Sequence, residues 1–134
     1  MATWLFKSDP DTYSWADLKT KAREVWDGVK NPLALKHLRS VKKGDEILIY
    51  HSGLDKAIVG IAKAVSEAYP DPKEKSGKLF VIDIAPEKDF PKPLTLSLIK
   101  SQSALKNWEL VRMSRLSVMP VNPEQRKILL RLVS

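Results

Sequence analysis

A chain of 134 residues with 43% hydrophobic content and no cysteine can bury roughly two thirds of its unfolded surface around one core, and it excludes disulfides, thiolate nucleophiles and cysteine zinc sites together. With only His37 and His51 a histidine-rich metal centre is excluded too, and no run of about 18 apolar residues offers a membrane span. The net charge of +7 points to a polyanionic partner if the cations are clustered, and to mere solubility if they are not.

Residues 3–7 are a short apolar run that stops at Ser8-Asp9-Pro10, which predicts an opening strand ending in a turn. Ser14 is an N-cap with Asp17 three residues on, so a short helix is predicted over 15–22 with Trp15 and Leu18 on one face. Asn31 as N-cap and Pro32 at the first helical position open a second helix, with Leu35 and Leu38 three apart and Lys43-Gly44-Asp45 as its stop. EILIYH, 46–51, is rich in β-branched and aromatic residues and lies between Gly44 and Gly53, which predicts a strand. AIVGIAKAV, 57–65, is read as another strand, because it follows a tight SGLDK connection and carries Gly60, better tolerated in a bulge than in mid-helix.

AYPDPKEKSG, 68–77, has loop composition, and KLFVIDIA, 78–85, is the next strand. A short helix follows over 96–100 and a strand over LSVM, 116–119. Asn122-Pro123-Glu124-Gln125 then opens a C-terminal helix with Ile128, Leu129 and Leu132 inward. About five strands and four short helices, with no βαβ alternation and no long linker, predict one α+β domain over 1–134 with a curled sheet or small barrel. The N-terminal MATWLFKSDP has no signal-peptide pattern, so a cytoplasmic location is expected.

The cations are clustered. Between Asp27 and Asp45 there is no acid, yet Lys30, Lys36, Arg39, Lys42 and Lys43 lie there. From Leu110 onward Arg112, Arg115, Arg126, Lys127 and Arg131 face one acid, Glu124. Such blocks suit a phosphate-binding surface or a solvated basic face. Four stretches could carry chemistry. KSDP, 7–10, sets an amine, a hydroxyl and a carboxylate at a strand end, as a ligand site or as an ordinary turn with Ser8 bonding its own backbone. EVWDGVKN, 24–31, puts Trp26 against an Asp-Gly turn, as a core residue or as the wall of a pocket for a flat, polar-edged ligand. In YHS, 50–52, alternation sends Tyr50 and Ser52 to one face and His51 to the other, so Ser52 and His51 make a poor nucleophilic pair. His51 is a packing histidine, a ligand contact or a general base. In LVRMSRLSVMP, 110–120, Arg112 and Arg115 are phosphate contacts or rim salt bridges. No P-loop, GxGxxG, HExxH or GxSxG is present.

Taken in order, WLFKSDPDTYSW, WDGVKN, GDEILIYHSG, KAIVGIAKAVSEAYPDP, PLTLSLIK and LVRMSRLSVMPV make the chain similar to the EVE domain over residues 3–132. The resemblance implies a PUA-like curled β-barrel of about five to six strands with short helices at its rim, related to the YTH and ASCH domains. It implies a non-catalytic reader of DNA or RNA that encloses one modified base, modified cytosine being the expectation, in an aromatic pocket at the barrel mouth. Lys7, Ser8, Asp9, Trp26, Gly28, Val29, Lys30, Asn31, Tyr50, His51 and Ser52 would form that pocket. Lys36, Arg39, Lys42, Lys43, Arg112 and Arg115 would meet phosphates. No cofactor, metal or membrane is implied, and a monomer is expected. At Asp9 and Lys30 the family often carries Glu and Arg, and Leu35-Lys36 replaces a frequent Arg-Asn pair. The competing expectation is a small amidohydrolase of modified nucleosides, by analogy with ASCH-like relatives, drawing on Lys7, Asp9, Tyr50 and His51.

Overall fold

The computed structural model describes residues 1–134. The strands are β1 (Thr3–Ser8), β2 (Glu24–Trp26), β3 (Glu46–His51), β4 (Ala57–Ala64), β5 (Tyr69–Pro70), β6 (Phe80–Thr95) and β7 (Val118–Val121). The helices are α1 (Trp15–Lys21), α2 (Pro32–Ser40), α3 (Leu96–Lys100), α4 (Glu109–Arg112) and α5 (Pro123–Val133), with a 3₁₀ turn at Ser103–Leu105. The sheet runs β2-β6-β4-β3-β1-β7, and β5 pairs with β6. β1 and β3 are parallel and every other pair is antiparallel. The mixed sheet curls into a half-barrel with the helices around it, a PUA-like fold.

The middle of that order explains its sequences. All six residues of β3 are buried, which is why EILIYH reads as a continuous run rather than an alternation. Leu5, Phe6, Ile47, Leu48, Ile58, Ile82 and Ile84 from β1, β3, β4 and β6 are fully inside and join one apolar cluster with Leu38, Trp108 and Leu129 from the covering segments. Burial of each such side chain stabilises by about 1.5–3 kcal/mol. Helix starts are satisfied as the sequence indicates: Ser14 and Asp17 form a reciprocal capping box, and Asn122 and Gln125 form another. The Asn31 carboxamide oxygen accepts from the N–H groups of Leu33 and Ala34 at 2.9 and 3.0 Å.

Gly60 sits where the pairing of β4 slips on both sides of it, opposite Ile49 of β3 and Asp89 of β6. A Cβ there would run into the Trp15 indole. The indole lies across the strand and donates from Nε1 to Asp89 at 2.5 Å. The glycine therefore answers a close approach as well as a bulge.

Several boundaries differ from the sequence expectation. Residues 24–26 form an edge strand paired with Ile84, Asp83 and Ile82, too short to leave a periodic signal. Tyr69 and Pro70, inside the expected loop, pair with Val81 and Phe80. β6 continues ten residues past Ala85 through Pro86, Pro91 and Pro93. Prolines argue against a strand, but the extra β6 residues between Asp89 and Leu94, opposite Gly60 and Ile58, absorb two of them where no ladder bond is needed. α2 ends at Ser40, before the Lys42–Asp45 turn. Leu35, Ile128 and Leu132 are half-buried rather than inside, and Ala34, Leu38, Leu129 and Val133 face the core. Seven strands and five helices replace about five and four. The parallel β1–β3 pair is a crossover through α1, β2 and α2 that the expected absence of βαβ units did not allow for.

Candidate nucleic-acid interface

The two ends of the strand order meet around one cavity. β2 and the turn after it supply Glu24, Val25, Trp26, Asp27, Gly28 and Val29. The end of β1 supplies Lys7, Ser8 and Asp9, followed by Thr12 and Tyr13, and Ser117 comes from the residue before β7. Its volume, about 510 Å³, lies within the roughly 300–1,000 Å³ of small-ligand sites. Trp26 is 8% exposed. Its ring lies 5.7 Å from Phe6 at 45°, and 6.2 Å from Tyr13 edge-on at 79°. It is thus a core residue that also borders the cavity. Gly28 has φ +76°, a left-handed conformation that lets the chain turn away directly after the indole.

The polar groups of the cavity are held by short local bonds. The Ser8 hydroxyl donates to the Tyr13 carbonyl at 2.5 Å. The Asp9 carbonyl accepts from Thr12 and Tyr13, and its carboxylate accepts from the Asp11 N–H. KSDP is therefore an ordinary turn, three residues of which line the cavity. Lys7 crosses to the other rim: its Nζ donates to the Ser114 carbonyl at 2.9 Å and lies 5.7 Å from the centre of the Tyr50 ring. Burial pulls the Lys7 ammonium below its ordinary range and pushes the Tyr50 phenol up. Glu24 Oε1 accepts from Lys21 Nζ and from the Val25 N–H, both at 2.9 Å. Burial works to raise the Glu24 pKa, but the bond from Lys21, the neighbouring Tyr13 hydroxyl and the bond from the Val25 N–H outweigh it and hold the carboxyl low. The Tyr13 phenol is pushed up to about 12, by burial first and by the Glu24 carboxylate second.

Of the eleven residues expected in the pocket, Lys7, Ser8, Asp9, Trp26, Gly28 and Val29 line this cavity and five do not. Lys30 faces the groove beside α2. Asn31 caps α2 and borders a shallower hollow with Arg112 and Arg115. Tyr50 is buried beneath Lys7. His51 is buried, with Nε2 accepting from the Trp15 N–H at 2.9 Å and Nδ1 3.1 Å from Asp55. Nε2 is thus the unprotonated nitrogen and Nδ1–H the donor, which is a packing role. Ser52 is tied to the Ser8 carbonyl by its N–H at 2.9 Å. Lys7 and Asp9 share the cavity with neither Tyr50 nor His51, so the four residues of the hydrolase expectation do not converge. Sequence reading passed over Thr12, Tyr13, Glu24, Val25, Asp27 and Ser117. The one available signal was the two-residue spacing that sets Glu24 and Trp26 on one strand face.

Apart from Lys7, the cations lie outside the cavity. Lys30, Lys36, Arg39 and Lys78 line a groove of about 580 Å³ that contains no acid, and the Arg39 guanidinium stacks 4.3 Å from the Phe80 ring centre. Arg112 donates from Nε to the Asn107 carbonyl at 2.8 Å. Lys42 pairs loosely with Glu67 at 3.7 Å, and the Lys43 N–H bonds the same carboxylate. Arg126 belongs to the scaffold, with Nε 2.6 Å from Glu46. No helix is long and apolar enough to cross a membrane.

A protein of Rhodopseudomonas palustris solved by NMR superposes with a TM-score of 0.94 at 40% identity, covering 99% of this chain and 93% of that one. Human thymocyte nuclear protein 1 is 31% identical over a 163-residue alignment covering 96% of this chain and 72% of that protein. Its crystal structure in complex with DNA containing 5-methylcytosine superposes with a TM-score of 0.92, covering 100% of this chain and 98% of that one. An ASCH protein of Zymomonas mobilis shares the fold alone, with a TM-score of 0.63 at 14% identity. The EVE domain model matches residues 2–132, and with these likenesses it shows that the chain belongs to the EVE domain family.

Proposed function

We propose that this protein reads modified DNA without altering it, by taking one modified base, a modified cytosine, out of the stack into the cavity walled by Trp26. The carrying observation is one indole that is anchored on Phe6 and Tyr13 yet borders a cavity of about 510 Å³. A base out of its stack needs such an apolar wall together with polar groups for its edge, and stacking on an aromatic ring contributes about 1–3 kcal/mol. The groove of Lys30, Lys36, Arg39 and Lys78, whose first residue follows Val29 of the cavity, and the hollow edged by Arg112 and Arg115 supply cations outside the cavity for the neighbouring phosphates. Human thymocyte nuclear protein 1, solved with 5-methylcytosine-containing DNA, supports the choice of DNA and of cytosine. Inside the cavity the Ser8 hydroxyl and Lys7 amine are each bonded to a backbone carbonyl, which favours holding a ligand over attacking it.

The test is binding to paired duplexes that differ in one central 5-methylcytosine or cytosine. Trp26→Ala is expected to remove most of the preference. Arg39→Ala and Arg115→Ala are expected to weaken both duplexes alike and to flatten the salt dependence by about one counterion each. Equal effects of all three substitutions on both duplexes would sink the proposal.

A further inference from the structure

The cavity and the groove beside it carry opposite charge. Asp9, Glu24 and Asp27 line the cavity against one ammonium, that of Lys7, whereas the groove along α2 has four cations and no acid. A phosphate is favoured in the groove and opposed in the cavity, so the group that enters must offer hydrogen-bond donors to carboxylates. Glu24 is the best held of the three. Its side chain is 19% exposed, Oε1 is fixed by Lys21 and Val25, and strand alternation puts it on the same face as Trp26. The Tyr13 hydroxyl is buried beside it and makes no hydrogen bond, and both bonds to the carboxylate fall on Oε1, so Oε2 is left to accept from a ligand. The bonds that hold Glu24 low keep it ionised, and an ionised carboxylate only accepts.

We infer that Glu24 makes the cavity selective for bases that carry an exocyclic amino group at the end of the Watson–Crick edge where thymine and uracil carry an oxygen. This rests on the cavity being the base site. Cytosine and adenine present that amino donor, and a 5-methyl group leaves it untouched. Thymine sets a carbonyl oxygen against the Glu24 carboxylate with no proton between them, and a site left with such an unpaired group rejects the analogue strongly.

5-Methylcytosine and thymine share the methyl group and differ at this edge, so they isolate the effect. Single-stranded oligonucleotides with one central 5-methylcytosine, thymine, cytosine, uracil or N6-methyladenine remove the cost of unpairing from the comparison. The native protein is expected to prefer 5-methylcytosine over thymine, and cytosine over uracil, on the order of tenfold. Glu24→Gln, whose amide can present either a donor or an acceptor, is expected to bring each pair within about twofold while the thermal midpoint holds. Binding of N6-methyladenine with the same dependence on Glu24 would extend the class to purines, and its exclusion would confine it to pyrimidines. Equal binding of 5-methylcytosine and thymine by the native protein would overturn the inference without any variant, as would a preference that survives Glu24→Gln. If Trp26→Ala abolishes discrimination of modified from plain cytosine while Glu24→Gln changes nothing, the base cavity stands and only the role of Glu24 falls. If Trp26→Ala changes nothing either, both fall.

Discussion

Gly60 shows how much a single residue can conceal. In the sequence it marks a possible bulge, and the pairing does slip around it, but its nearest neighbour is the Trp15 indole from 45 positions earlier. Gly60→Ala is expected to destabilise the protein by about 1–3 kcal/mol through overpacking, read as a lower denaturation midpoint. Because the clash is with one ring, Trp15→Leu in the same chain should return part of that loss, and a double-mutant cycle measures the coupling. Trp26 teaches the same lesson: the Asp-Gly turn beside it was legible, whereas its contacts with Phe6 and Tyr13 were not. Glu24 was passed over because its two-residue spacing from Trp26 marks a shared face only once residues 24–26 are known to be a strand.

At the scale of elements, what was legible is what is encoded locally. Ser14 with Asp17, Asn31 with Pro32, and Asn122 with Gln125 mark three helix starts through bonds made within four residues. Asn31→Ala removes the acceptor for two N–H groups and is expected to cost about 1 kcal/mol, with Asn31→Asp restoring most of it. A urea midpoint series on the two variants checks this. Elements that depend on a distant partner were missed or cut short. β2 is three residues that exist because Ile82, Asp83 and Ile84 pair with them, and β6 carries prolines through a long pairing with β4. Composition argues for a loop in both places, and the partner strand overrides it.

The whole molecule responds to pH through groups that folding brings together. Burial works to raise the Asp45 pKa, but the N–H groups of Lys42 and Ala2 and the Trp4 indole donate to it at 2.9–3.0 Å and hold it below its ordinary 3.8. A folded pKa below the unfolded one contributes stability that is present above about pH 4 and lost as pH falls further. Asp83 adds to the same dependence, held low by Tyr69 and Arg23. Tyr69 has the opposite sign. Its bond to Asp83, and then burial, push its pKa from 10.0 to about 12, so its contribution is present below pH 10 and lost between 10 and 12. Thermal midpoints are expected to fall on both flanks. Asp45→Asn should be less stable at neutral pH and lose less between pH 5 and 3, and Tyr69→Phe should flatten the alkaline arm.

The sequence by itself determined the α+β class, the central buried strands, the capped helix starts and the clustering of cations, because each is written in residues close together along the chain. The segment order also sufficed for the EVE resemblance, which the family comparison shows. Only the tertiary structure decided which groups share the cavity. Curling of the sheet sets Glu24 and Trp26 of β2 opposite Ser117 before β7, at the far end of the strand order, and turns Tyr50 and His51 into the packed interior. Which side chains meet there depends on closure between segments about ninety residues apart, a property of pairing and packing that no local pattern encodes.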